Sequence, residues 1–324
     1  MTSNTTTEIE LKFLVTSQSV KTELEQFFTT LGLEPECKHS HLQNCYFDTP
    51  ELSLRKLDMG LRVRRKNNDI EQTIKTSGQV VAGLHSRPEY NVKISEPFPE
   101  LALFPEHLWS SQRQREDLQA QIVSLFSTDF QRTTWTFDYQ DSHFELALDF
   151  GEISADGGAS DIAELEIELV EGNAADLVDF ANQLVCSLKL RPGKHSKAAR
   201  GYRLFASQTD VIVEPVSLVM APKDQPDSEG ELFEQGINFF LGQLQRAIDN
   251  YFQQKKLSHL SDMVDVLSML RHGFWIFDEF MDTSIEGIRN ELSHFIQEFS
   301  WVDNAVYVKE LVSKSGIYLS LIHI

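Results

Sequence analysis

Between Glu8 and about Phe205 the chain alternates polar and apolar residues, and many of the polar positions carry charges of a single sign. The segments Glu8–Phe13, Gly60–Arg65, Glu71–Thr76, Arg132–Tyr139, His143–Phe150 and Ala163–Val170 repeat with period two. That is the spacing of a β-strand, whose successive side chains point to opposite faces. Glu8, Glu10 and Lys12 therefore share a face opposite Ile9, Leu11 and Phe13, and Arg62 and Arg64 lie opposite Leu61 and Val63. Lys75 goes with Glu71 and Thr73, Glu145 goes with Asp149, and Glu164, Glu166 and Glu168 stand opposite Leu165, Ile167 and Leu169. An antiparallel sheet with one wet face alternates in this way by default, so no single segment decides anything. The signs carry more weight. Three stacked acids with no cation, and two uncompensated arginines, each need a counter-charge from elsewhere, whereas a solvated face mixes its signs. If the strands close into a barrel with charged faces inward, acids meet bases across a lumen and helices cover the apolar outer faces. Such a lumen suits a polyanion together with its cations.

Helical spacing interrupts the strands over Ser19–Leu31, with Gly32 as a stop, over roughly Ser110–Phe126, and over Ala174–Leu188. The first two-thirds thus reads as α+β and strand-dominated. From Val211 to about Glu231 the sequence gathers Pro215, Pro222, Pro226, Asp224, Asp227, Ser228 and Gly230 without sustained periodicity, which reads as a linker. Beyond it, Leu232–Phe252, Leu260–Met281 and Ser284–Phe299 show the three-and-four spacing of packed amphipathic helices, with Met263, Met269 and Leu270 expected in a core. Domains are expected at 1–207 and 232–324, joined by 208–231. The helical part looks cut short, and Leu319–Ile324 looks like a translated adapter tail.

The 29 Lys plus Arg against 49 Asp plus Glu leave a net charge of −20, which repels nucleic acid and anionic membranes at long range, so any phosphate site must be local. Neither partner is expected. The three cysteines, Cys37, Cys45 and Cys186, show no C-x-x-C spacing and fit free thiols in a reducing compartment. No signal peptide and no bilayer-length apolar run is visible, so the expected location is the cytoplasm.

A mixed lumen has a definite chemistry. Mg²⁺ and Mn²⁺ prefer carboxylate oxygens, and Mg²⁺ is typically held by one or two carboxylates plus substrate phosphates and water. Phosphoryl transfer also needs Lys and Arg on the phosphate oxygens and a positioned water for in-line attack. With Glu8-Ile9-Glu10-Leu11-Lys12 at the start, the chain resembles the CYTH superfamily, the triphosphate tunnel metalloenzymes, whose hallmark is an E-x-E-x-K first strand. The ordered set continues with Tyr46-Phe47-Asp48-Thr49, Gly60-Leu61-Arg62-Val63-Arg64, Gln72-Thr73-Ile74-Lys75, Arg87-Pro88-Glu89-Tyr90, Arg132, Leu146-Ala147-Leu148-Asp149, Glu164-Leu165-Glu166-Ile167-Glu168-Leu169 and Lys194-His195-Ser196-Lys197-Ala198-Ala199-Arg200-Gly201-Tyr202. The linker and helices resemble bacterial inorganic triphosphatases that join CYTH to a CHAD domain.

The resemblance implies an eight-stranded antiparallel β-barrel tunnel with covering helices, followed by an all-α helical bundle, and hydrolysis of inorganic triphosphate with Mg²⁺ or Mn²⁺. It implies metal ligation by Glu8, Glu10, Glu164, Glu166 and Asp149. It implies substrate binding by Lys12, Arg62, Arg64, Lys75, Glu89, Arg132 and Lys197. Glu166 and Glu168 are the candidates for orienting the attacking water. Lys194 and Arg200 could extend the grip on phosphate; Arg87 reads equally as a lumen base or as an exposed turn residue beside Pro88. The helical domain departs from the CHAD pattern, because Asp262–His272 holds one Arg and one His where several bases are expected, and so a scaffold or protein-interaction role fits it better. Thiamine triphosphatase and adenylate cyclase of the same fold are the enzymatic alternatives. A polyphosphate-binding scaffold without turnover is the non-enzymatic one.

Overall fold

A computed structural model describes residues 4–17, 19–66, 69–81, 84–156, 158–206, 213–220, 226, 228–280 and 285–313, so residues 319–324 lie outside it. The chain divides into two compact units, Met1–Asp210 and Val211–Ile324.

In the first unit, strands β1 (Asn4–Val15), β2 (Glu36–Asp48), β3 (Gly60–Lys66), β4 (Asp69–Lys75), β5 (Gln79–Val81), β6 (Leu84–Ile94), β7 (Val123–Tyr139), β8 (Ser142–Ala155), β9 (Gly158–Glu171) and β10 (Leu190–Pro192) form one antiparallel sheet. Eight of them run β1-β9-β8-β7-β2-β3-β4-β6, and β6 pairs back onto β1, which closes the barrel. The two three-residue strands are additions: β5 makes a hairpin with β6, and β10 continues along β1. Closure removes the unpaired edges that an open sheet of this size would expose.

Helices α1 (Val20–Leu31), α2 (Ser53–Lys56), α3 (Gln112–Gln121), α4 (Ala174–Ser187) and α5 (Lys197–Phe205) decorate the barrel. Gly32, at φ 69°, closes α1 in the left-handed conformation that glycine takes without cost. Leu24, Phe27 and Phe28 of α1 and Leu177, Phe180 and Leu184 of α4 bury themselves against Phe13, Trp135, Phe137, Phe144, Leu146, Leu165 and Ile167. These are the apolar halves of the alternating strands, facing outward. A second cluster covers β3, β4 and β6 with Leu101, Phe104, Trp109 and Leu118. With the apolar halves committed to the outside, the charged halves have only the lumen.

Asn173 caps α4, its side chain accepting from the Asp176 amide at 3.0 Å. Asn173→Ala is expected to lower stability by about 1 kcal/mol, the usual worth of such a cap, read as faster amide exchange in α4.

The expected helix over Ser110–Phe126 is shorter. Ser111 caps α3, which ends at Gln121, and Val123 already belongs to β7. No Gly or Pro marks the stop; β-branched Ile122 and Val123 and aromatic Phe126 favour a strand, and Val123, Ser124 and Phe126 pair with the end of β2. Helix α5, which the sequence reading left unassigned, is capped by the Ser196 hydroxyl.

The second unit holds α6 (Glu229–Gln254), α7 (Leu257–Ile276), α8 (Ile285–Glu298) and α9 (Trp301–Ser313). Helix α6 starts at Glu229, after the Ser228 cap and three residues before the expected Leu232, and α9 adds to the helices read from sequence. Part of the expected linker lies along α6: Asn250 grips both backbone polar groups of Glu214 and Gln243 accepts from the Ser217 amide. Leu270 is buried, while Met263 and Met269 are half-buried.

Candidate active site

The lumen contains a cavity of about 270 Å³ lined by Glu8, Glu10, Lys12, Arg62, Arg64, Lys75, Arg87, Glu89, Arg132, Glu145, Glu166, Glu168 and Lys197, together with Asn44, Tyr46, Thr73, Asn91, Phe130 and Tyr202. Barrel register sets these side chains in rows. Glu10 of β1 lies opposite Glu168 of β9, and Glu168 lies opposite Glu145 of β8, so three acids stand side by side on adjacent strands. Two residues along, Lys12 lies opposite Glu166 and Glu166 opposite Ala147. The third row is Arg132, Asp149 and Glu164.

The second and third rows are locked by ion pairs. Lys12 lies 2.8 Å from both Glu164 and Glu166, and Lys197 lies 2.8 Å from Asp149 and Glu164 and 3.1 Å from Glu166. Arg132 reaches Asp149 and Glu166, each at 2.7 Å. Asp149 and Glu164 are fully buried and stand behind the cavity wall rather than on it. Burial would raise the Glu164 carboxyl, but Lys12 and Lys197 outweigh that and hold it at about 2. Glu166 is likewise held well below the carboxylate range, and the same carboxylates keep Lys12 and Lys197 protonated against the cost of their own burial.

The other side of the lumen is looser. Lys75 pairs with Glu8 and, at 2.9 Å, with Glu89, while Arg62 reaches Glu89 at 3.5 Å. Lys75 and Arg62 hold Glu89 at about 2 despite its burial. Among the described residues Arg64 forms no ion pair, and it donates to the Asn44 amide oxygen at 2.9 Å. Burial, with Arg62 and Arg132 nearby, lowers its guanidinium to about 9, the mark of a cation lacking an anion. Arg87 lies within β6, opposite Glu8, and lines the cavity, which settles the turn alternative for it.

Residues 6–202 match the CYTH domain family. The chain belongs to that family. An inorganic triphosphatase of Haemophilus influenzae is 41% identical over 207 residues, covering 62% of this chain and 56% of that protein, so the chain spans about half the length of the curated relative it matches. Among solved structures, a Hippeastrum adenylyl cyclase candidate described as having a dominant triphosphatase activity is 17% identical, with a TM-score of 0.44 over 62% of this chain and 97% of that one. A Pyrococcus horikoshii protein is 16% identical, with a TM-score of 0.35 over 62% and 99%.

In this CYTH barrel the row Glu10, Glu168 and Glu145 forms no hydrogen bond or ion pair among the described residues. Burial first, then the charges of Glu8, Glu145 and Glu10, push Glu168 up to about 7. Burial, together with Glu10 and Glu89, lifts Glu8 to about 7 against the pull of Lys75. Adjacent unneutralised carboxylates are costly and consist only of hard oxygen donors, the donor set a divalent cation of the Mg²⁺ type takes. Among the described residues no three His, Cys, Asp or Glu side chains converge to enclose an ion by themselves.

The register brings the sequence-predicted site residues together on the cavity surface, except Asp149, Glu164, Lys194 and Arg200; Arg200 pairs with the buried Glu164 at 3.1 Å instead. The register also adds Glu145, Asn44, Tyr46 and Tyr202. Glu145 shares a strand face with Asp149, and that spacing was the available signal. Asn44 and Tyr46 sit on β2, whose early residues show no clean alternation of hydrophobicity.

Proposed function

We propose that this chain is a divalent-metal-dependent inorganic triphosphatase, cleaving tripolyphosphate with water to diphosphate and phosphate. The observation that carries the reading is one small cavity in which an unneutralised row of carboxylates faces arginines and lysines. Its likeness to the Haemophilus influenzae inorganic triphosphatase supports the same substrate.

In this reading Lys12, Arg62, Arg64, Lys75, Arg87, Arg132 and Lys197 line the cavity and bind phosphate oxygens, and among the described residues Arg64 forms no ion pair of its own. Glu8 and Glu10 hold Mg²⁺ or Mn²⁺. When bound, the ion supplies charge neutralisation and polarisation of the terminal phosphate. Glu168, facing the cavity without a partner, orients the water; Glu166, clamped by Lys12, Lys197 and Arg132, is poorly placed for it. Water attacks the terminal phosphorus, the bridging P–O bond breaks, and the electron pair leaves on diphosphate held by the basic wall. Glu164 and Asp149, metal ligands by resemblance, lie behind the cavity wall as buried partners of Lys12, Lys197 and Arg132.

A CHAD-type accessory role is proposed for the helical unit, supported by the four α-helices among its described residues. Burial, then the charges of Asp303 and Asp262, push Asp265 up there, and this grouping of acids argues for a scaffold rather than a polyphosphate grip. A cytoplasmic location is supported by three free cysteines, and among the described residues no helix is long and apolar enough to cross a membrane.

The test is phosphate release by the full chain from tripolyphosphate, thiamine triphosphate and ATP, with Mg²⁺, with Mn²⁺ and with chelator. Metal-dependent release fastest from tripolyphosphate is expected. Preference for either organic triphosphate would move the assignment to that alternative, and silence on all three from a folded protein would leave a binding protein.

A further inference from the structure

The Tyr46-Phe47-Asp48-Thr49 segment ends β2, and the site described above makes no use of Asp48. The Asp48 side chain is fully buried and, among the described residues, forms no ion pair. Its charge is met by four donors. Oδ1 accepts from the Thr49 amide at 2.7 Å and the Leu54 amide at 2.8 Å, and Oδ2 accepts from the Arg55 amide at 2.9 Å and the Tyr202 hydroxyl at 3.0 Å. Hydrogen bonds to a buried carboxylate are of the charge-assisted kind. The carboxylate thus joins three things: the end of β2, the turn that presents Arg55 to the cavity, and α5.

Helix α5 is the element that matters. Its first residue is Lys197, which lines the cavity and pairs with Asp149, Glu164 and Glu166. Its Gly201 lies so close to the barrel that a Cβ there would stand 2.1 Å from the Phe126 ring. The Tyr202 ring packs edge-on to Phe126 at 5.2 Å, and the Arg55 guanidinium lies 5.4 Å from its centroid. Tyr202 keeps its proton far above the usual phenol range because of burial and the Asp48 charge, so the hydroxyl is a permanent donor. Without that bond α5 would be held by its packing and by its ion pairs inside the lumen, the same pairs a polyanion competes for.

We propose, on the triphosphatase reading above, that Asp48 is a positioning residue: through the Tyr202 hydroxyl it fixes α5, and with it Lys197, against the phosphate-binding cavity. Asp48 does not line the cavity and touches no substrate. Its removal weakens the grip on phosphate equally in ground and transition states, which raises KM and leaves kcat.

The experiment uses the full chain with Tyr202→Phe, Asp48→Asn and the double variant, and Tyr139→Phe as a hydroxyl deletion outside the site. Tyr202→Phe should raise KM for tripolyphosphate with Mg²⁺ about tenfold, the worth of a hydrogen bond to a charged group, with kcat within about threefold. Amide exchange in 197–205 should quicken about tenfold while α4 is unchanged. Asp48→Asn should act in the same direction, and the double variant should be no worse than Asp48→Asn alone, because both break one connection. Tyr139→Phe should change neither. Additive effects would mean that the Tyr202 hydroxyl meets substrate directly, and would overturn the proposal. Faster exchange with an unchanged KM would make Asp48 purely structural, which also overturns it. Should Asp48→Asn fail to fold, Tyr202→Phe still decides. Should the parent turn over nothing, the triphosphatase reading falls, and Kd for tripolyphosphate in metal-free buffer takes the place of KM: a tenfold rise keeps the positioning role, and an unchanged value or no binding by the parent ends it.

Discussion

Glu10→Gln should lower metal-dependent phosphate release from tripolyphosphate by about a hundredfold or more while the barrel stays folded. The substitution keeps shape and removes one charge from the row of Glu10, Glu168 and Glu145. A drop of that size equals about 2.7 kcal/mol of lost transition-state stabilisation, within what one electrostatic contact in a water-poor site supplies. Anion affinity should move the other way. In metal-free buffer the parent sets unneutralised carboxylates against an incoming polyanion, so losing one of them leaves tripolyphosphate binding equal or tighter. Calorimetry with chelator present, beside the turnover assay, reads both. Loss of turnover and of binding together, in a folded protein, would show that Glu10 acts on binding rather than on catalysis.

Glu164→Ala should be the most damaging single change to stability, costing the barrel about 3–5 kcal/mol. It leaves Lys12 and Lys197 buried with only part of their counter-charge, and an uncompensated buried charge costs far more than the intact pair contributes. Amide exchange in β1, β8 and β9 measures it, and a change under about 1 kcal/mol would show that Glu166 and Asp149 suffice. The same pairing sets an acid limit. Glu164 titrates at about 2 in the fold against an ordinary 4.5, so its folded form is the weaker proton binder. The stability it contributes is fully present above about 4.5 and is lost as pH falls toward 2, and in Glu164→Gln this part of the acid slope should vanish.

The division between sequence and fold runs along the range of the interactions. Which side chains share a strand face follows from period two alone, and so the alternation separated Glu164, Glu166 and Glu168 from Leu165, Ile167 and Leu169 before any packing was considered. Helix α1 with its Gly32 stop and helix α4 with its apolar stripe were legible for the same reason: cap and spacing are local. The ordered motifs, taken as a resemblance, supplied the eight-stranded tunnel, and pairing of β6 with β1 closes it.

What local pattern could not carry was depth and partnership. Glu164 and Glu168 stand on the same face of one strand. One is fully buried beneath two lysines, while the other faces the cavity among acids, because β1 brings Lys12 level with Glu166 and Glu10 level with Glu168. Cross-strand register joins residues more than a hundred positions apart, and no periodicity within a strand encodes it. The end of α3 at Gln121 was decided likewise by the pairing of β7 with β2, which claims residues that helical spacing would otherwise keep. Asp48 illustrates the limit most plainly. In the fold it is the last residue of β2; its donors come from Thr49, from α2 and from Tyr202, and only closure of the barrel brings that tyrosine within reach.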